Sequence, residues 1–123
     1  MPTKQRVQDL IAYVERGRFA DGIQAFYADD VVMQDNLAQP TVGKAANVER
    51  ERGFESYIAE LHESRALDVI VDGDRVVIHW LLDFTGTDGK RSRMDQLAHQ
   101  LWRGDRIVRE RFVYDPATLA VAA

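Results

Sequence analysis

Apolar residues recur with a helical period along the first part of the chain and with a period of two along the second. Val7, Leu10, Ile11 and Val14 fall at i, i+3, i+4 and i+7, one stripe of an α-helix, with Thr3 placed to cap its start and Gly17 to end it. A shorter second helix is predicted from near Asp21, burying Phe19, Ile23, Phe26 and Tyr27 and ending at Ala28-Asp29-Asp30. A short strand, Val31 to Gln34, then delivers Asp35 and Asn36 to a loop punctuated by Pro40 and Gly43. The proline ring forces Gln39 extended, and Thr41 offers a cap for a third helix running through about Leu61. Phe54, Tyr57, Ile58 and Leu61 mark its buried side, with Gly53 a weak point, while Glu49 to Arg52 reads as a solvated face with local ion pairs.

From Arg65 the pattern alternates. Leu67 to Val71, Val76 to Phe84, Arg91 to Trp102 and Ile107 to Tyr114 read as strands, joined by turns at Asp72-Gly73-Asp74, Thr87-Asp88-Gly89-Lys90 and Gly104-Asp105. Arg103-Gly104-Asp105 is accordingly read as part of a hairpin turn. Three successive hairpins predict an antiparallel meander that the early strand joins. The implied class is α+β, three N-terminal helices packed on one face of a curved, mostly antiparallel sheet. No compositional break or repeat divides the chain, so one domain over residues 1–123 is expected, with the tail PATLAVAA peripheral.

Parity separates the two faces of the sheet. One carries Val76, Ile78, Trp80, Leu82 and Phe84, then Met94, Gln96, Ala98, Gln100 and Trp102, then Val108, Glu110, Phe112 and Tyr114. The other carries Val77, His79, Leu81 and Asp83, then Asp95, Leu97, His99 and Leu101, then Ile107, Arg109, Arg111 and Val113. That second face is too apolar to be purely wet, which points to a homodimer formed through it, with His79 and His99 at the interface.

Composition narrows the partners. A chain of 123 residues can bury one sizeable core, and 46% apolar with 29% charged residues is ordinary for a soluble globular protein and too apolar for a disordered one. A net charge of −4 provides no basic stripe for phosphate, so no nucleic acid is expected. Short apolar runs and an N-terminus without a signal-peptide hydrophobic region point away from membranes and towards the cytoplasm. The absence of cysteine excludes disulfides, thiolate nucleophiles and Cys-ligated metals. No two histidines show ligand spacing, and neither a nucleotide-binding glycine loop nor a GxSxG elbow occurs, so neither a metal nor a cofactor is expected.

Gly22-Ile23, Phe26-Tyr27-Ala28-Asp29-Asp30-Val31 and Gln34-Asp35, followed by Gly43, resemble the opening of the NTF2-like superfamily. The order of helices, strands and turns extends the resemblance over nearly the whole chain, and the small SnoaL-like proteins are the most similar group. The resemblance implies a cone in which the curved sheet and the helices enclose one pocket. It implies function only broadly, because the superfamily includes isomerases, cyclases, epoxide hydrolases, dehydratases and non-catalytic members. Asp35 stands where ketosteroid isomerases carry their catalytic base, but the two oxyanion donors of that family would fall near Leu10 and Ala98, both apolar here. The base is kept and its electrophile is not. The match to the polyketide cyclase subgroup, with its late-strand acid and histidine, is likewise incomplete.

Under that layout Asp35 and Glu110 point into one apolar cavity, where desolvation and mutual repulsion raise carboxyl pKa values and suit a general base and a general acid. Tyr114 and Gln96 share the inward parity and are placed to orient a carbonyl or hydroxyl, while Trp80, Trp102 and Phe112 supply the wall or simply pack. His62, at the end of the third helix, is expected to reach Glu110 or the pocket mouth, or only to answer the helix dipole. Asn36 either donates to a substrate oxygen or turns the chain. The expected function is a small-molecule pocket protein, as a cofactor-independent isomerase, cyclase or hydrolase acting on a small apolar carbonyl- or hydroxyl-bearing metabolite. The alternative is a non-catalytic ligand-binding or dimeric interaction module of the same fold.

Overall fold

The computed structural model describes residues 1–118, so the last five positions of the tail, 119–123, lie outside the described residues. Three α-helices, α1 (Lys4–Glu15), α2 (Phe19–Phe26) and α3 (Lys44–Tyr57), accompany six strands among these residues. The strands are β1 (Tyr27–Asp35), β2 (Thr41–Val42), β3 (Ile58–Asp72), β4 (Arg75–Gly86), β5 (Arg91–Arg103) and β6 (Arg106–Val113). They form one curved sheet in the order β2-β1-β6-β5-β4-β3. The β3 to β6 meander is antiparallel, as is β1 with β2, and β1 runs parallel to β6.

Thr3 Oγ1 accepts from the Arg6 amide at 3.0 Å and starts α1, which buries Val7, Leu10 and Ile11. Gly17, at φ 74°, turns the chain out of it. Helix α2 has no capping side chain of its own. Glu55 of α3 supplies one instead, its Oε2 accepting from the Phe19 amide at 3.0 Å. This contact ties α2 to α3.

Three helix boundaries differ from the sequence reading. Helix α2 stops at Phe26, four residues early, because Tyr27 is already extended and pairs with Ile107. Thr41 does not cap α3: it pairs with Met33 in the two-residue strand β2, and Gly43, at φ 96°, takes the N-cap position. Helix α3 likewise ends at Tyr57, and the chain runs on as β3 from Ile58 rather than from Leu67. Register shifts between Ile58 and Glu60 and between Leu61 and Glu63 break the period of two. Ile58, Leu61 and Ser64 therefore stay on the helix-facing side at a spacing that imitates a helix.

A further shift between Leu101 and Trp102 inverts the expected faces at the start of β6, putting Ile107 in the core and leaving Val108 as the extra residue. The main core joins Leu10, Ile23, Phe26, Met33, Ile78, Trp102 and Ile107. A second cluster, Leu82, Phe84 and Met94, packs against Phe19, Phe54 and Tyr57, with Phe54 edge-on to Phe84 at 5.1 Å. On the outer face, Asp83 is buried beneath Arg91 and Arg93, while Leu97 and Val113, opposite each other, are both exposed.

Candidate functional site

Between the helices and the inner face of the sheet lies a cavity of about 460 Å³. Trp80, Phe112, Phe19, Phe54, Met33 and Met94 give it apolar walls, and three carboxyl groups, Asp35, Glu51 and Glu110, reach it. The parallel pairing explains the convergence on the sheet side. Met33 is opposite Glu110 and Asp35 opposite Phe112, so alternate residues of β1 and β6 share the inward face.

On β1, Asp35 Oδ1 accepts from Arg50 Nη2 at 3.0 Å and Oδ2 accepts from the Tyr114 hydroxyl at 3.0 Å. Burial, and then the neighbouring Asp35 charge, push the Tyr114 hydroxyl up to about 12. Asn36, in the left-handed region at φ 50°, turns the chain and accepts the Tyr114 amide at 2.9 Å. Its side chain is thereby occupied in placing Tyr114, and it is not among the residues lining the cavity.

Two register positions away on β6, Glu110 Oε1 accepts from the Tyr27 hydroxyl and Oε2 from Gln100 Nε2 at 2.7 Å. Gln100 in turn accepts the Trp102 indole N–H at 3.0 Å. Desolvation lifts Glu110 to about 7 against the two hydrogen bonds, which favour its charge, and raises the Tyr27 hydroxyl well above its ordinary value. Glu51 is also lifted to about 7, first by desolvation, with Arg50 opposing and Asp35 and Glu110 adding to the rise.

Of the residues singled out from sequence, Asp35, Glu110, Tyr114, Gln96, Trp80 and Phe112 line this one cavity. Trp102 is buried behind it and braces Gln100 rather than forming wall. His62 corrects the expectation most clearly. It lies within β3, not at a helix end, and its Nε2 contacts Thr85 Oγ1 at 2.7 Å, with Glu60 as its other polar neighbour. Because α3 ends four residues earlier than read, His62 falls outside the cavity.

The sequence reading passed over Arg50, Glu51, Tyr27 and Gln100. Arg50 and Glu51 sit in a run of alternating charges that resembles solvated helix, yet both line the cavity. The usable signal was that Val48, Glu51 and Glu55 repeat at i, i+3 and i+7, which puts carboxyl groups on the helix face that also carries Val48. Among the described residues no group of three or more His, Asp or Glu side chains is placed to hold a metal ion, and no helix is long and apolar enough to cross a membrane.

The sequence profile described as the SnoaL-like domain matches residues 7–110. The chain belongs to the SnoaL-like family. Its three helices and curved mixed sheet form the α+β cone of NTF2-like proteins. A candidate SnoaL-like polyketide cyclase from Mesorhizobium loti is 22% identical with a TM-score of 0.79, covering 91% of this chain and 98% of that one. A protein of ketosteroid isomerase-like fold from Catenulispora acidiphila, in complex with trimethylamine, is 15% identical with a TM-score of 0.75, covering 95% and 90%. An M. tuberculosis LEH-like epoxide hydrolase is 15% identical with a TM-score of 0.75, covering 94% and 84%. At these identities the likeness establishes the fold of the SnoaL-like chain. No curated protein matches the sequence.

Proposed function

We propose that this SnoaL-like protein catalyses proton transfer, without a cofactor, on a small and mostly apolar metabolite bearing a carbonyl, epoxide or hydroxyl group. One observation carries the reading: three carboxyl groups converge with two tyrosine hydroxyls on a single aromatic-walled cavity. Asp35 supplies negative charge that takes or relays a proton, with Tyr114 and Gln96 orienting the substrate. Glu110 supplies a proton. When Glu110 is protonated its O–H can donate to Tyr27, which frees the tyrosine hydroxyl to point at a substrate oxygen, a donor for developing negative charge. Proton transfer is also central to the reaction classes named for the structural neighbours, cyclisation and epoxide opening.

Native mass spectrometry of freshly purified protein, followed by incubation of any retained metabolite, tests this. Conversion of the metabolite, lost in Asp35→Asn and Glu110→Gln, is expected. Release of an unchanged ligand favours the second reading, a non-catalytic binding module. That reading draws on the two hydrogen bonds that Asp35 accepts from Arg50 and Tyr114, which hold the carboxylate before any ligand arrives.

Either function is proposed for a cytoplasmic, single-domain protein that dimerises through the outer sheet face. Leu97 and Val113 form an exposed apolar pair there, and Arg109, Arg111 and Asp95 supply both signs of charge for a self-complementary contact. Leu97→Glu should halve the mass seen in sedimentation; an unchanged mass, or a wild-type monomer, rejects the interface.

A further inference from the structure

The three cavity carboxyl groups differ in what already holds them. Both oxygens of Asp35 are engaged, by Arg50 and Tyr114. Both oxygens of Glu110 are engaged, by Tyr27 and Gln100, and its side chain is almost completely buried. Glu51 accepts no hydrogen bond from any described residue, and Arg50 Nη2, its nearest cation, stands 3.8 Å away and is already committed to Asp35 at 3.0 Å. Its side chain retains 16% of its surface, so it is sheltered yet reachable from the cavity.

The neighbours account for this isolation. One turn along the same helix, Glu55 is turned away to cap α2. Asp35 on β1, Glu110 on β6 and, less strongly, Glu55 itself repel Glu51, Tyr27 feels its charge from β1, and Arg50 alone opposes them. A carboxyl group that must act on a substrate needs a lone pair or proton that no protein group occupies. Asp35 and Glu110 keep spare lone pairs, but among the described residues Glu51 alone of the three accepts from no protein donor that a substrate would have to share.

We propose that Glu51 is a catalytic residue, the carboxyl group that exchanges a proton with the substrate, and that the Asp35–Arg50 ion pair is a fixed positioning element beside it. This rests on the acid/base reading of the cavity and replaces the proton acceptor within it. Asp35 keeps Arg50 from quenching Glu51, and its own charge keeps the Glu51 proton affinity high.

The test uses 5-nitrobenzisoxazole, a small apolar molecule with one acidic C–H. The Glu51 carboxylate takes the C3 proton, the C–H electron pair forms the nitrile, the N–O bond breaks and the leaving oxygen departs as a phenolate, with no co-reactant. Wild-type kcat/KM should rise with pH through a midpoint near 7. Glu51→Gln should lose roughly 100-fold, the scale of a general base, with Glu51→Asp recovering part of it. Asp35→Asn should also lower turnover, because Arg50 and Tyr114 lose their anchor, but what remains should keep a pH midpoint, moved to lower pH, because an anion is removed and Arg50 is released towards Glu51.

If instead Asp35→Asn or Glu110→Gln abolishes turnover while Glu51→Gln only shifts its midpoint, the proposal is overturned and the acid/base reading of the cavity survives. Wild-type turnover no greater than that of the Glu51→Gln/Asp35→Asn double variant removes both. As a check independent of turnover, the carboxyl ¹³C signal absent from Glu51→Gln should titrate near 7 in the wild type. A midpoint at the ordinary glutamate value overturns the proposal.

Discussion

Replacing Glu110 with glutamine should make the protein more stable at alkaline pH, although it alters a group at the centre of the candidate site. The folded protein holds Glu110 at about 7 against an ordinary 4.5, because burial penalises its charge more than Tyr27 and Gln100 relieve it. A carboxyl raised in this way binds its proton more tightly in the folded state. Its stabilising contribution is complete below the unfolded value and is lost as pH rises through about 7. At about 1.4 kcal/mol per pH unit, the interval corresponds to roughly 3 kcal/mol. A glutamine at this position resembles the protonated acid: its oxygen accepts from Gln100 Nε2 and its amide donates to the Tyr27 oxygen, so the network stays satisfied. Urea unfolding followed by Trp80 and Trp102 fluorescence, at intervals between about pH 5 and 8, measures the effect. The two proteins should be nearly equal at the acid end and should diverge by roughly 3 kcal/mol in favour of Glu110→Gln at the alkaline end. Glu51 contributes its own slope to both, eased in Glu110→Gln because the Glu110 charge is one of the minor causes of its rise, so most of the difference belongs to Glu110. A constant difference across the range would mean that Glu110 carries no raised proton affinity and would sink the argument.

Removing the Tyr27 hydroxyl in Tyr27→Phe takes away a bond that favours the Glu110 anion, so the Glu110 carboxyl ¹³C titration should move above about 7; an unchanged midpoint would contradict the donor role. Asp83, held below its ordinary value chiefly by Arg91, contributes stability that is present above the unfolded value near 3.8 and lost as pH falls through the lower folded value. Asp83→Asn should therefore cost about 1 to 2 kcal/mol in urea at neutral pH, discounted for the exposure of both arginines, and flatten the acid limb of the stability profile. Gly86→Ala would bring its Cβ within 2.1 Å of Tyr57 Cζ, displacing a ring that packs edge-on against Phe84 and bonds Asp88. Calorimetry should record a loss of about 1 to 3 kcal/mol, and an unchanged Tm would show that the ring can move freely.

The helical stripe of α1 and the alternation of β4 and β5 were legible because one face of each is buried and nothing interrupts the period. Legibility failed where the chain changes register. Ile58 and Leu61 looked helical because bulges in β3 reproduce a spacing of three, and that error carried His62 to a helix end it does not occupy. Ile107 and Val108 exchanged faces for the same reason, since a bulge is set by cross-strand geometry that a single strand does not display. In the site, Asp35, Glu110, Gln96 and Tyr114 could be placed on the cavity from parity and resemblance. Arg50 and Glu51 could not, because a half-buried charge on a helix looks like a solvated one until its partners across space are known. Tyr27 was read only as packing, since its hydroxyl acquires a role solely through Glu110, a residue 83 positions away.

The parallel contact between β1 and β6 bears on how the molecule assembles. The meander from β3 to β6 is stitched by neighbours in sequence, whereas Asp35 meets Tyr114 across 79 residues and Tyr27 meets Glu110 across 83. Closing so long a loop is entropically slow, so this seam is expected to form after the hairpins have zipped. Nearly every polar group of the candidate site is seated on it or packed against it. The chemistry thus depends on the last junction to close, and a change that merely loosens β1 against β6 can leave a protein with native hairpins and no working cavity.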